Sequence, residues 1–465
     1  MSIFVNGEIQ ALGQEQSSDE PIEGSVENES DSLWTREGED WPDFLGAGRT
    51  GVCNETGLVN SWIENGLKVR WTFNAGEGYS IGSVSHGRMI HFDRMGDSCR
   101  VVCLNAESGE TIWTYQYPCD YADMYGFDGG PRCSPVIDED RVYVYGPAGR
   151  LICLRIAGDE GVAAGEPGGP GSVVWERDVS GDYSVVQNFF GVGSAPLVHG
   201  DLLLVMVGGS PPADSRIPQG QLDRVGPDGS LVVAMNKLTG EEVYRTVDDL
   251  ASYSSIAIAD IDGETTALVL GRERLSGINP RDGEELFEFA WRSRILESVN
   301  AANPVITGNR ILITECYGPG SAFLEVSDGE VETVWSDAGK RNKAMQAHWN
   351  TPVLRDGFVY GCSGRHSNDA QLRCVDIETG AVKWFRSGLS RSSLTWIEDH
   401  FVVLGEYGKL RLITAQPDRY EEVARYDSRE AEIDLEYPCW AAPVISHGLM
   451  FIRDKKRVVC FEFDR

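Results

Sequence analysis

Six residues far apart in the chain, Arg132, Asn188, Asn300, His348, Arg391 and Trp440, each lie a few positions ahead of a short apolar strand. If those strands meet about one axis, two guanidinium groups, two amides, an imidazole and an indole converge, which is the default form of a binding pocket. The alternative is that loops of this kind only hydrogen-bond one another. His348 carries the same choice between a structural histidine and a general base. Asp128 and Glu297 are carboxylates in the same set of loops, but paired-carboxylate or Ser-His-Asp chemistry needs a spacing that the chain order does not supply.

The elements that must position these residues recur. Ser134-Pro135-Val136-Ile137, Ala195-Pro196-Leu197-Val198, Asn303-Pro304-Val305-Ile306, Thr351-Pro352-Val353-Leu354 and Ala442-Pro443-Val444-Ile445 are copies of one inner strand. Gly82-Ser83-Val84-Ser85, Ser255-Ile256-Ala257-Ile258 and Ser393-Leu394-Thr395-Trp396 are weaker copies, which makes eight. Prolines 135 and 196, 304 and 352, and 352 and 443 lie 61, 48 and 91 residues apart, the last interval spanning one degenerate copy. Repeats of about 40 to 50 residues, each holding several short strands between Gly, Asp and Asn turns, are propeller blades. The insertion from Gly208 to Gly229 lengthens the third unit and is the kind of loop that meets partners. Asp159 to Gly171 reads as a plain connecting loop.

A second pattern sits late in the units: Asn105 to Trp113, Asn236 to Tyr244, Asn279 to Phe287 and Asp376 to Trp384, each with glycine in the turn and an aromatic residue four places on. Asn or Asp opens the turn with its side chain, and Gly supplies the positive φ that closes it. The aromatic residue then falls on the outer strand, where it can dock on the next blade.

This Asp-x-x-Thr-Gly-x-x-x-Trp pattern resembles the tryptophan-docking repeat of the pyrroloquinoline-quinone (PQQ) dehydrogenase-like propellers, a superfamily that includes BamB, over about residues 41 to 465. The segments from Trp41 to Gly46, Phe190 to Ser194 and Trp291 to Arg294 are similar to PQQ-like repeat proteins of planctomycete bacteria. The resemblance implies an all-β, eight-bladed propeller of the quinoprotein alcohol dehydrogenase type. It leaves two functions to weigh. One is a non-catalytic scaffold that holds another protein on its loop-rich axial face and needs no cofactor. The other is an oxidoreductase acting on alcohols or sugars, with PQQ stacked on an indole and Ca2+ held by carboxylate and amide oxygens. Trp440 and Asn300 would be pieces of the second site. The alcohol dehydrogenases of that family carry a disulfide between adjacent cysteines, whereas the closest pair here is Cys99 and Cys103. The scaffold is therefore the expectation.

The last unit ends after three strands, and Lys68 to Phe73, which alternates apolar with polar and carries Trp71, is expected to supply the fourth. That closure removes exposed sheet edges. Eleven cysteines, four of them at one blade position (Cys103, Cys153, Cys374, Cys460), read as packed thiols. No Cys-x-x-Cys spacing calls for a zinc ribbon or attached haem.

Residues 1 to 40 read as a disordered acidic tail and 41 to 465 as the propeller: from Glu8 to Asp43 twelve acidic residues face the single Arg36. A net charge of −31 argues against nucleic acid and anionic membranes as partners. With no signal sequence and no apolar run long enough to span a bilayer, the chain as it stands is expected to be a cytoplasmic monomer; a different start site would place it in the periplasm.

Overall fold

The proline dipeptides precede the inner strands, where a missing backbone N–H costs the sheet no hydrogen bond. Thus Pro135 leads into Val136–Asp138, Pro352 into Val353–Arg355 and Pro443 into Val444–Ser446. In the computed structural model, which describes residues 32–159, 161–426 and 433–463, eight sheets, antiparallel but for Val52–Cys53 at the edge of one, follow one another along the chain. They form an eight-bladed β-propeller: blades 1 to 7 span 83–118, 136–178, 197–246, 257–290, 305–336, 353–387 and 392–426. Blade 8 combines 444–462 with Lys68–Asn74, which pairs antiparallel with the last strand, Lys68 opposite Glu462 and Asn74 opposite Arg457. The expected closure is present. No helix among the described residues is long and apolar enough to cross a membrane.

Side chains at the entry to the inner strands tie neighbouring blades together. Ser83 Oγ donates to Pro135 O (2.7 Å), Ser255 N to Asn303 Oδ1 (2.8 Å), Asn303 N to Thr351 Oγ1 (3.0 Å) and Thr395 Oγ1 to Pro443 O (2.6 Å). Farther out, five outer-strand tryptophans dock on the following blade, two of them, Trp113 and Trp384, from the turn pattern. Trp71, Trp113, Trp175, Trp335 and Trp384 donate their indole N–H to carbonyls of Ala106, Ile156, Lys237, Ile377 and Gln416 at 2.8–3.0 Å. The Trp71 bond joins blade 8 to blade 1. Cys103, Cys153, Cys374 and Cys460 sit directly opposite Trp113, Trp175, Trp384 and Trp71 across the outer strand pair, and a β-bulge adjoins each pairing. All eleven cysteines are free and buried. Blade 7 has Ala424 where a docking ring would lie. There the helix α1 (Leu58–Asn65) brings Trp62 into one apolar cluster with Ala424, Tyr426 and Phe463.

The sequence sets the acidic tail at residues 1–40, of which 1–31 lie outside the described residues. From Leu33 on, the chain belongs to the ring. Leu33 N donates to His86 O (2.9 Å), Trp34 stacks on His447 at 4.0 Å, and Ser446 Oγ donates to Glu39 O (2.7 Å).

Candidate functional site: an aromatic pocket on the axis

The loops that lead into the inner strands of all eight blades line one cavity of about 210 Å³ on the axis. Blade 1 contributes Tyr79, blade 2 Phe127 and Arg132, blade 3 Phe190, blade 4 Tyr253, blade 5 Val299, blade 6 His348 and Trp349, blade 7 Arg391 and blade 8 Trp440. The lining also takes in Phe44 and Leu45, which come from a segment that crosses between the inner strands. Trp41 exchanges both backbone bonds with Val84 of blade 1, Pro42 O accepts from Ile137 of blade 2, and Gly51 O accepts from Trp396 of blade 7. Arg49, buried, donates to Asp43 (2.8 Å), to Ile256 O of blade 4 (2.8 Å) and to Pro196 O of blade 3. Burial pushes the Asp43 carboxyl up, against the pull of the Arg49 charge. Residues 41–53 thus reach five blades and place two apolar side chains in the cavity wall.

Of the six residues expected to converge, Arg132, His348, Arg391 and Trp440 line the cavity. Asn188 and Asn300 do not. Asn188 Nδ2 donates to Ala251 O (3.0 Å) and Asn300 Nδ2 to Gly271 O (2.8 Å), so both amides bridge the loops instead of facing a ligand. An amide close to an unpaired backbone carbonyl is consumed by it, because a buried carbonyl left without a donor is costly. Their neighbours Phe190 and Val299 reach the cavity instead. What the reading by residue type missed is the aromatic wall: Tyr79, Phe127, Phe190, Tyr253 and Trp349. The signal was the density of aromatic residues in those same loops.

Both arginines are neutralised. Arg132 Nη2 donates to Asp123 Oδ2 (2.8 Å) and the guanidinium lies 5.3 Å from the centre of the Tyr79 ring. Arg391 donates to Glu406 Oε2 (2.6 Å) and lies 4.6 Å over Trp349 and 5.4 Å over Trp440. Burial raises the Glu406 pKa, but the hydrogen bonds from Arg391 outweigh it and hold the carboxyl below its usual range. Trp440 Nε1 also donates to Glu406 (3.3 Å). The imidazole of His348 shares a 3.1 Å hydrogen bond between Nε2 and the Tyr317 hydroxyl. Burial, with the Arg391 and Arg365 charges behind it, pushes its pKa down to about 3, so the ring is neutral at physiological pH and a weak base.

Arg365 falls on this face: its guanidinium stacks 4.4 Å over Tyr317, and its carbonyl accepts from Arg391 Nη1 (3.4 Å). The insertion from Gly208 to Gly229 packs down beside it. Leu222 and Val225 are buried with Phe189, Val299 and Tyr317, while Asp223 pairs with Arg272 (2.7 Å) and Arg292. Glu297 is exposed, and Asp128 is not among the lining residues, its pKa raised by burial.

PQQ with calcium does not fit this set of residues. The lining holds no carboxylate, and among the described residues no group of three or more His, Cys, Asp or Glu could hold a metal ion. The cavity is also below the usual range for ligand sites, about 300–1,000 Å³.

A closed ring of eight blades, five of them docked on the next by a tryptophan, with an axial pocket defines a PQQ-like propeller. The particular family follows from the sequence: a family model described as outer membrane protein assembly factor BamB matches residues 97–386, more than half of the chain, and the chain belongs to that family. Among solved structures, BamB from Moraxella catarrhalis superimposes with a TM-score of 0.56 at 12% identity, covering 85% of this chain and 100% of its own. A quinohemoprotein alcohol dehydrogenase from Comamonas testosteroni gives 0.60 at 12% identity, covering 91% and 80%. A europium-containing methanol dehydrogenase gives 0.65 at 9% identity, covering 92% and 98%. These likenesses concern the fold. A search of curated proteins by sequence finds no match.

Proposed function

We propose that this protein is a non-catalytic binding propeller that holds another protein against the loop face around its axial pocket. The observation that carries this reading is a continuous aromatic surface running out of the pocket. Tyr407 stacks on Tyr437 at 4.9 Å, Tyr437 meets Trp440 at 6.0 Å, Trp440 meets Phe127 at 5.7 Å, Phe127 meets Phe190 at 6.0 Å and Phe190 meets Tyr125 at 5.5 Å. Tyr125, Phe127, Tyr407 and Tyr437 are 47, 45, 52 and 43% exposed. Contiguous exposed apolar surface of this kind marks an interaction site, and aromatic side chains dominate the energy of protein interfaces. The walls offer no carboxylate to take a proton from a substrate, and the family's description as an assembly factor points the same way.

A photo-crosslinking residue placed at position 127 or 437, in cells of the source organism, is expected to give one discrete adduct. The same residue at position 243, equally exposed on the outer strand of blade 3, is expected to give none. Equal labelling at all three positions, or none at any, ends the proposal. Titration of the purified protein with PQQ and Ca2+, followed by tryptophan fluorescence, is expected to show no saturable change; saturation would move the reading to a redox enzyme.

A further inference from the structure

Two cysteines lie side by side where the outer strands of blade 1 give way to the loop that carries Tyr125, Phe127 and Arg132. Cys99 stands opposite Tyr117 in the pairing of Ser98–Asn105 with Thr111–Pro118. Cys119 N donates to Asp97 O (2.8 Å), which extends that register and sets Cys119 diagonally across from Cys99 on the same face of the sheet. Both side chains belong to one apolar cluster with Tyr117, Tyr121 and, from blade 2, Val144. Cys99 is fully buried and Cys119 is 6% exposed.

The surroundings of Cys119 set it apart from other thiols of the chain. Burial pushes Cys103, Cys133 and Cys153 up to about 12. Cys119 moves the other way, down to about 6: the hydrogen bond from the Cys99 thiol outweighs burial, the backbone N–H of Tyr121 and the Arg94 charge add to it, and the Asp120 charge opposes it. Arg94 is held over the loop, donating to Tyr121 O and to Gly129 O (3.3 Å). The same contact, together with burial, pushes Cys99 up and keeps it protonated. A thiolate beside a protonated thiol is the arrangement in which one sulfur attacks an oxidant and the other resolves the product.

We propose that Cys99 and Cys119 form a dithiol site that hydrogen peroxide oxidises to a disulfide, tying the root of the loop that carries Tyr125 and Phe127 to the neighbouring strand. The Cys119 thiolate attacks one oxygen of the peroxide, the O–O bond breaks and hydroxide leaves, which makes Cys119 a sulfenic acid. The Cys99 sulfur then attacks the sulfenic sulfur. The S–S bond forms, the S–O bond breaks, and the hydroxyl leaves as water with the Cys99 proton. The hydroxide of the first step takes up the proton that Cys119 had given to solvent, so two thiols lose two electrons, the peroxide gains them, and two waters form. Peroxide is small enough to reach a sulfur that a protein thiol could not approach. Diagonal partners stand about 7–8 Å apart at Cα and a disulfide spans about 4.4–6.8 Å, so the bond draws Cys119 and the loop behind it by about 1 Å. The site stands whether or not that loop meets a partner protein.

The test uses the full chain, reduced, freed of reductant, treated with hydrogen peroxide, then denatured and blocked with N-ethylmaleimide. Trypsin with a glutamyl protease, which cuts between Cys103 and Cys119, is expected to release the Cys99 and Cys119 peptides joined, with the other cysteines alkylated. Cys99→Ser should stop at the sulfenic acid of Cys119, which dimedone labels, and Cys119→Ser should leave Cys99 alkylated. The oxidation rate of Cys119 should be flat above about pH 7 and fall about tenfold per pH unit below about pH 6. No 99–119 link, a link between another pair formed as fast, or a rate that keeps rising past about pH 8 overturns the inference. If either variant fails to fold, the link map and the pH profile of the unaltered protein still decide. The crosslinking at 127 and 437 is carried out without peroxide, so a failure here is distinguishable from a failure of the partner-binding reading.

Discussion

His348 shows at the scale of one residue how the ring sets chemistry through burial. An unfolded histidine titrates near pH 6.5, and in the pocket wall the value is pushed down to about 3. The unfolded chain therefore binds the proton first. The stability that this group contributes is complete above about pH 6.5 and is lost as the pH falls toward 3, with a slope of up to about 1.4 kcal/mol per pH unit. Urea unfolding of the native protein and of His348→Phe between pH 7 and about pH 4.5 should show the native protein losing stability faster as acid is added. Parallel curves would show that the imidazole is solvated.

The blades make their contribution through one recurring device, a ring docked on a glycine. Gly240 has φ +73°, and a Cβ added there would lie 2.7 Å from the Trp175 ring. The small Cys153 opposite Trp175 leaves the other side of the indole room to pack. Trp175→Ala removes a buried indole and should cost about 3 kcal/mol or more, and Gly240→Ala should cost above about 1 kcal/mol from strain and collision together. The two are coupled, because without the indole the new methyl group has space. A double-mutant cycle in urea should therefore give a combined loss smaller than the sum of the single losses, and strict additivity would refute docking as the source of both.

For the whole molecule, stability depends on joining the ends of the chain. Lys68–Asn74 supplies the outer strand of blade 8, and Trp71 carries that blade onto blade 1 through Ala106 O. Between blades 8 and 1, Arg453 donates to the carbonyls of Phe92 (3.3 Å) and Gly76 (3.0 Å) beside the buried pair of His91 and Asp93. Deleting residues 66–75 exposes the edge of Arg457–Glu462 and removes one docking ring, so the variant should show no native cooperative thermal transition. An unchanged midpoint would mean that the ring holds without its closing strand.

The repeat was legible in the sequence because a blade is a local object. Alternating apolar residues, a proline before five of the inner strands, and in four units a glycine turn with an aromatic residue four places on are decided within about 50 residues, and eight units of this kind specify the architecture and even the source of the missing strand. Four of the six expected pocket residues followed from their place in the repeat alone. The tertiary structure decided the rest, through contacts between residues far apart in the chain. Asn188 and Asn300 are turned away by carbonyls of neighbouring loops. The wall is completed by Phe44 and Leu45, held there because Arg49 finds two carbonyls more than a hundred residues away. Periodicity determines where a loop stands on the ring, and only the set of hydrogen-bond partners brought together by closure determines which way its side chains face.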